Sequence, residues 1–365
     1  MPNDQPPPPS RIKGRGSASN PEGRFESTAV EAYDDGWYRD DGEAAAPPAT
    51  TVTEEQARTI ISRNDSPDIP FDQSVNPYRG CEHGCVYCYA RPTHSYLNLS
   101  AGLDFETRLT AKTNAAERLR AELGRRGYVP SPINLGANTD PYQPIERRYQ
   151  LTRRILEILA ETRHPATIVT KSASVLRDLD LLAPMARERL VQVFVSVTTL
   201  DNKLASRLEP RASAPHRRLQ AIGELAAAGV PVGVFVAPLI PMLTDRDLEA
   251  IMEKARELGA TTASYTLVRL PHEVKDLFRE WLAIHYPDRA SHIMSLIQQM
   301  RGGRDNDARF HTRFRGEGVF ADLIRRRFKV AFARLGYLSR NEDVQLDCTK
   351  FVAPRAAKPQ SDLFA

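Results

Sequence analysis

The chain has 365 residues, 41% of them hydrophobic, enough for a large core of its own, which excludes a small module that needs disulfides or a metal to fold. Its 50 Lys and Arg against 46 Asp and Glu leave a net charge of +4, too mild an excess to demand a nucleic-acid partner by itself. The four cysteines are clustered rather than spread as a secreted framework, no apolar run opens the chain, and residues 230–243 are broken by prolines and too short to span a bilayer, so a soluble cytoplasmic protein without a membrane segment is expected.

Residues 1–52 are rich in Pro, Gly, Ser and Asp and poor in aliphatics, the composition of a disordered tail. Within it, Arg15-Gly16-Ser17 and Arg24-Phe25-Glu26 are candidates for docking on the body, although nothing in their spacing demands it. A short helix or strand is expected over 53–62. Six β-branched runs follow, each trailed by an amphipathic stretch, the pattern of β-α units around a parallel sheet. The first strand runs up to Asn76-Pro77-Tyr78, and the others cover 132–137, 166–170, 191–198, 230–238 and 261–268. Helices are expected over 114–126, 151–162, 174–189, 215–228 and 244–258. Ser174 is a candidate cap, Thr244 with Asp247 resembles a capping box, and Gly229 and Gly259 sit where a left-handed C-terminal residue belongs. Residues 53–270 thus form one α/β core with a cysteine loop at 79–91. Residues 271–337 form a C-terminal helical extension (273–285, 289–300 and 319–335), and 338–365 an irregular tail. The basic runs Arg217-Arg218 and Arg325-Arg326-Arg327 with Lys329 read as solvated helix faces.

The segment GCEHGCVYCYA carries Cys81, Cys85 and Cys88 as C-x3-C-x2-C, so one loop can bring three thiols together around a metal. Structural zinc normally takes four ligands. His83 or His94 is available as a fourth, but His83 lies inside the x3 span, where it would strain a shared tetrahedron. A disulfide would leave one thiol over in a reducing compartment. An iron-sulfur cube held by three thiolates leaves one iron open to a substrate or cofactor, which accounts for three instead of four. The open cluster, zinc and inert thiols remain the alternatives from the residues alone.

A C-x3-C-x-aromatic-C motif after the first of six β-α units resembles the radical S-adenosylmethionine superfamily, where it binds a 4Fe-4S cluster. Over roughly residues 70–270 the resemblance implies an open six-stranded partial (β/α)6 barrel, similar to part of a TIM barrel, with the loop at the C-terminal mouth of the strands. It also implies that S-adenosyl-L-methionine chelates the unique iron. An electron from a ferredoxin or flavodoxin then splits it to methionine and a 5′-deoxyadenosyl radical, which takes a hydrogen from the substrate.

The segment GANTDPYQPIE after the second strand is similar to that of the spore photoproduct lyase-like branch, where it lies against the cofactor's amino group; this singles out Asn138, Thr139 and Asp140, although Asp140-Pro141 is also turn chemistry. By the same resemblance Lys171, followed by Ser172, suits the cofactor carboxylate, Ser196 and Thr198 the ribose, and the backbone at Ala237-Pro238 the adenine. Tyr87 takes the position that commonly contacts adenine. Tyr87 and Tyr89 match a tyrosine pair that returns the radical to the cofactor in the lyases, and ring packing is the plainer reading of both. Glu209-Pro210-Arg211 lines the opening or forms an ordinary surface pair. One departure stands out: the lyases carry a hydrogen-donor cysteine where this chain has Ala137 and Asn138, and its only spare thiol is Cys348. The expected activity is radical chemistry on an unidentified substrate, with a nucleic acid (DNA repair or RNA modification) as second reading and a zinc-stabilised binding module without catalysis as third.

Overall fold

The computed structural model describes residues 11–25 and 48–354; the parts of the expected tails at 1–10, 26–47 and 355–365 lie outside them. The strands are β1 (Thr51–Glu55), β2 (Ile61–Arg63), β3 (Gln73–Val75), β4 (Tyr78–Arg79), β5 (Arg108–Lys112), β6 (Ile133–Leu135), β7 (Ala166–Thr170), β8 (Val191–Ser196), β9 (Val232–Leu239) and β10 (Thr262–Leu267). Seven form one open sheet in the order β10-β9-β8-β7-β6-β3-β2. Six of these run parallel, and β2 pairs antiparallel at the edge. The six parallel strands are the open, partial barrel that the family resemblance implies.

Two features depart from it. The first strand stops at Val75, because Pro77 has no N–H to continue a ladder, and Tyr78 pairs instead with Ala111 of β5. That pairing belongs to a second small sheet, β1-β5-β4, whose strands are too short for a period to stand out.

The long strands bury an apolar face under the helices that cover the sheet. Val191, Val193 and Val195 on β8 and Val232, Val234 and Val236 on β9 are fully buried, each contributing about 1.5–3 kcal/mol. The open edge of β10 is shielded, since Leu267 N–H donates to Phe314 O at 2.9 Å and Leu338 N–H to Thr261 O at 2.9 Å.

The longer helices are α1 (Ala115–Leu123), α2 (Leu151–Glu161), α3 (Leu179–Arg187), α4 (Pro215–Ala227), α5 (Leu248–Glu257), α6 (Val274–His285), α7 (Ala290–Gln299) and α8 (Gly318–Arg334). Gly229 and Gly259 have positive φ after α4 and α5, as a left-handed terminus requires. The N-terminal signals fall elsewhere. Ser172, not Ser174, caps the 3-10 turn leading into α3, accepting the Ser174 N–H at 3.2 Å. Thr244 and Asp247 form no capping box: the Thr244 hydroxyl turns back to Pro238 O at 3.0 Å, while Asp247 accepts from the Thr199 hydroxyl and from Leu200 N–H at 3.0 Å. Loops at the strand ends have recruited both side chains.

The basic runs also divide. Arg327 pairs with Glu249 of α5 at 2.6 Å and Arg325 with Asp322 at 2.5 Å. Arg218 is not on a solvated face at all but fully buried. Among the described residues no helix is long and apolar enough to cross a membrane.

Residues 11–25 and 48–52, expected within a disordered tail, are ordered. Few aliphatics are needed because the docking is polar: Gly16 and Ser17 N–H donate to Glu106 at 3.0 and 2.9 Å, and Arg15 donates to Glu106 O at 3.1 Å and Pro48 O at 2.7 Å. A side chain at Gly16 would strike Gly84 O in the cysteine loop, so glycine is what lets the strap lie flat there. Arg24 reaches Glu273 beside α6 at 2.7 Å. Glu106 itself is fully buried against Arg91. Glu106→Ala would leave the Arg91 charge buried without a partner and is expected to cost about 3–5 kcal/mol and to open residues 11–25 to proteolysis. Urea unfolding with limited trypsin digestion checks this, and an unchanged midpoint with a protected strap would refute it.

Candidate active site at the mouth of the sheet

Parallel strands end on the same side, so whatever follows each C-terminal end is gathered at one mouth. Cys81, Cys85 and Cys88 follow β3 and β4, residues 138–140 follow β6, Lys171 and Ser172 follow β7, Thr198 follows β8, and Arg269 follows β10. Ala237 and Pro238 close β9 opposite a break in the register with β10, a position where a proline is tolerated in an inner strand.

The loop is a set of tight turns: Gly84 N–H donates to Cys81 O at 3.3 Å, Cys88 N–H to Cys85 O at 3.2 Å, and Arg91 N–H to Cys88 O at 3.2 Å. The buried Arg91 guanidinium locks it from behind, donating to Cys85 O at 2.8 Å, Ala101 O at 3.0 Å and Gly102 O at 2.8 Å. Gln143 fastens the front, accepting from Glu82 N–H at 3.0 Å and donating to Gly80 O at 3.2 Å.

All three thiols are free. Burial pushes each of them up, while N–H groups of Asp140 at Cys81, of Ala90 and Arg91 at Cys88, and the Lys171 and Arg218 charges near Cys85 favour the thiolate. Among the described residues no three His, Cys, Asp or Glu side chains converge on one ion, as a mononuclear zinc site requires. Three irons of a cube each take their own thiolate, and three sulfurs on one loop, two of them buried and two of them with N–H donors, fit that group.

The Asp140 side chain is only 9% exposed and is already occupied. Its carboxylate accepts from Tyr142 N–H at 2.9 Å, the Thr170 hydroxyl at 2.7 Å and Lys171 N–H at 2.7 Å, and it lies 3.4 Å from His83 Nδ1. Burial pushes it up, but His83 and these donors outweigh that and bring it to about 2. His83 is thereby engaged away from metal ligation. His94, also buried, directs Nε2 to Arg108 O at 3.0 Å. Thr139 is buried with its hydroxyl on Tyr78 O at 3.3 Å, and Asn138 N–H donates to Asn76 at 3.0 Å.

A second buried charge centre was not legible in the sequence. Glu209, fully buried, accepts from the Tyr87 phenol, from the Thr198 hydroxyl at 2.6 Å and from Arg218, with Lys171 Nζ at 4.0 Å. Lys171 also stands over the Tyr87 ring at 6.0 Å. Burial pushes Glu209 up, yet Arg218, Lys171 and the two hydroxyl donors bring it to about 2. Thr198 lies 3.0 Å from Ala237 O, and Arg218 donates to Ser196 O at 3.2 Å. Of the Glu209-Pro210-Arg211 group, only Arg211 behaves as a rim residue, pairing with Glu82 at 3.1 Å.

The two tyrosines differ. Tyr87 is buried on Glu209, whereas Tyr89 is 49% exposed, its phenol on Ala137 O and its ring under Arg269 at 5.8 Å. Cys348 is remote. Its turn is tied to Arg189, Glu188 and Thr162, which precede β8 and β7 at the opposite end of the sheet, so no fourth thiol reaches the mouth.

The family model of the radical SAM superfamily matches residues 75–255. An uncharacterized protein of Mycobacterium tuberculosis is 39% identical over 233 residues, which cover 63% of this chain and 68% of that protein. An uncharacterized protein of Methanocaldococcus jannaschii is 27% identical over 214 residues, 59% of this chain and 76% of the relative. In fold, the chain is similar to spore photoproduct lyase complexed with dinucleoside spore photoproduct: TM-score 0.57 and 16% identity, covering 78% of this chain and 80% of that one.

Glu209 is ionised more readily in the folded than in the unfolded chain, so its contribution is present above the ordinary carboxylate range and lost as pH falls toward 2. Asp140 acts in the same direction. Metal-free Glu209→Gln is therefore expected to be less stable at pH 7 and to lose less on acidification from pH 5 to 3. Urea midpoints at the two pH values decide, and parallel curves for parent and variant would sink the assignment.

Proposed function

Since the chain belongs to the radical SAM superfamily, we propose that Cys81, Cys85 and Cys88 hold a 4Fe-4S cluster and that this enzyme cleaves S-adenosyl-L-methionine there to act on a substrate at the barrel mouth. The observation that carries the reading is three free thiols in one loop, Cys81 and Cys85 buried and Cys88 half-buried, with N–H donors at Cys81 and Cys88 and no fourth thiol within reach. When bound, cluster and cofactor supply an electron and a 5′-deoxyadenosyl radical that takes a hydrogen from the substrate, the electron coming from a ferredoxin or flavodoxin.

The chain's own residues then bind, orient and exclude water. Because the Asp140 carboxylate is spent on four internal contacts, its role is to hold the Ala137–Asp140 turn and the Lys171 backbone in place. The backbone of that turn, with Asn138 and Thr139, is left to meet the cofactor's amino group. Lys171 Nζ is held only loosely, 4.0 Å from Glu209, and is free to swing to the cofactor carboxylate. Ser172 serves as a cap that fixes it. Thr198 already serves Glu209, which leaves Ser196 as the better partner for a ribose hydroxyl. Tyr87 is a rigid wall for adenine beside Ala237. Tyr89, exposed and against Ala137 O, is the tyrosine that meets the substrate side and the candidate for radical return.

A nucleic-acid substrate is the second reading. The basic helix around Arg325 does not favour it, since Arg325 and Arg327 have acidic partners, but the rings and guanidiniums beside Tyr89 do. Anaerobic reconstitution should give a brown protein holding about four irons and as many acid-labile sulfides, and reduction with cofactor should release 5′-deoxyadenosine. Cys81→Ala, Cys85→Ala and Cys88→Ala should each abolish both signals, whereas Cys348→Ala should leave them intact. A colourless protein with stoichiometric zinc would overturn the proposal.

A further inference from the structure

Residues 301–317, between α7 and α8, fold back over the end of β10. The fully buried Arg301 fastens them, donating to Thr312 O at 3.1 Å and Arg313 O at 2.8 Å on one side and to Val268 O at 2.7 Å on the other. This brings Phe310, Arg313 and Phe314 beside Arg269, and so beside Tyr89 of the cysteine loop. Five side chains alternate outward from the mouth: Tyr89, Arg269, Phe314, Arg313, Phe310. Arg269 Cζ lies 5.8 Å from the Tyr89 ring centre and 4.9 Å from that of Phe314; Arg313 Cζ lies 5.0 Å from Phe314 and 4.7 Å from Phe310.

The two guanidiniums are not equivalent. Arg313 is pinned by Asp68 at 2.6 Å and by Ser66. Arg269 has no carboxylate or hydrogen-bond partner among the described residues, and its Nε is buried with none. A half-covered cation with an orphaned donor costs free energy that an anionic ligand would offset. The rings at both ends of the row are open to solvent, Tyr89 at 49% and Phe310 at 51%.

We propose that this row binds a single-stranded nucleic acid, with a backbone phosphate on Arg269 and bases stacked on the exposed faces of Phe310 and Tyr89. An acidic peptide would satisfy Arg269 and leave the rings unused, whereas a nucleic-acid strand carries a phosphate and a stacking face on every unit. The inference deepens the proposed function, on which it rests for the strand's place beside the reacting centre; binding itself needs no cluster.

The test is fluorescence anisotropy of the full chain, without reconstitution, on labelled twelve-nucleotide oligothymidylate and oligouridylate across a salt series. Binding should weaken with salt. Arg269→Gln should raise Kd about tenfold and lower the log–log salt slope by about one. Phe310→Ala, at an exposed position that leaves the melting temperature unchanged, should raise Kd about fivefold or more with the slope intact. No binding at low salt, or parental Kd values in both variants, would overturn the inference, as would polyglutamate competing as well as unlabelled oligonucleotide. Reconstituted protein that releases 5′-deoxyadenosine but binds no strand overturns this inference and leaves the proposed function standing. Strand binding by a protein that never takes up iron does the reverse.

Discussion

A carboxylate and a guanidinium sealed from water govern the architecture around the cysteine loop. Arg91 and Glu106 pair with both side chains fully buried, and each spends its remaining capacity on backbone. Arg91 takes carbonyls from the cysteine loop and from 101–102, and Glu106 takes N–H groups from the strap at 16–17. In a low-dielectric setting neither charge tolerates the loss of its partner, so the loop, the strap and the turn at 104–107 are held as one unit. Against a back wall of this kind, three thiols that burial would keep protonated can face the mouth in a set arrangement.

On the other side of the loop, Glu209 and Arg218 repeat the device with a different outcome. Their carboxylate also gathers Tyr87 and Thr198 and stands near Lys171. Polar groups from β8, the cysteine loop and the end of β7 thus meet at a single buried anion. Lys171 is the loosest member, 4.0 Å from the carboxylate, which suits the exchange of Glu209 for a ligand carboxylate that the proposed function asks of it. Rigid surroundings with one mobile cation suit a site that must admit a charged cofactor and then hold it still.

Much of this was legible from local sequence. Residues 166–170 form a strand with the bounds that their β-branched run implies, and Gly229 and Gly259 end helices as their position requires. The C-x3-C-x2-C spacing places three thiols on one loop, because spacing within a short segment is a local matter. Caps were less legible, since Ser172 and Ser174 differ only in which hydroxyl faces an N–H, and Thr244 and Asp247 were drawn away by neighbouring loops. In the strap at 11–25 the composition hides the order, because few apolar residues are present, but the candidates Arg15-Gly16-Ser17 and Arg24 do dock, through backbone N–H groups and guanidiniums.

The sequence by itself determined the sheet, its covering helices and the three thiols, because hydrophobic period and ligand spacing act over a few residues. Only the tertiary structure decided which polar groups are consumed and which are left over. Tyr87 and Glu209 are 122 residues apart, and Arg269 acquires ring neighbours from residues 89 and 314 but no salt bridge among the described residues, the nearby Asp68 being taken by Arg313. Whether a charge is paired depends on what the fold brings within a few ångströms of it, and no local pattern records that. Asp140, conspicuous in the sequence, proves to be spent internally, and Arg269, inconspicuous there, is the cation that remains for a ligand.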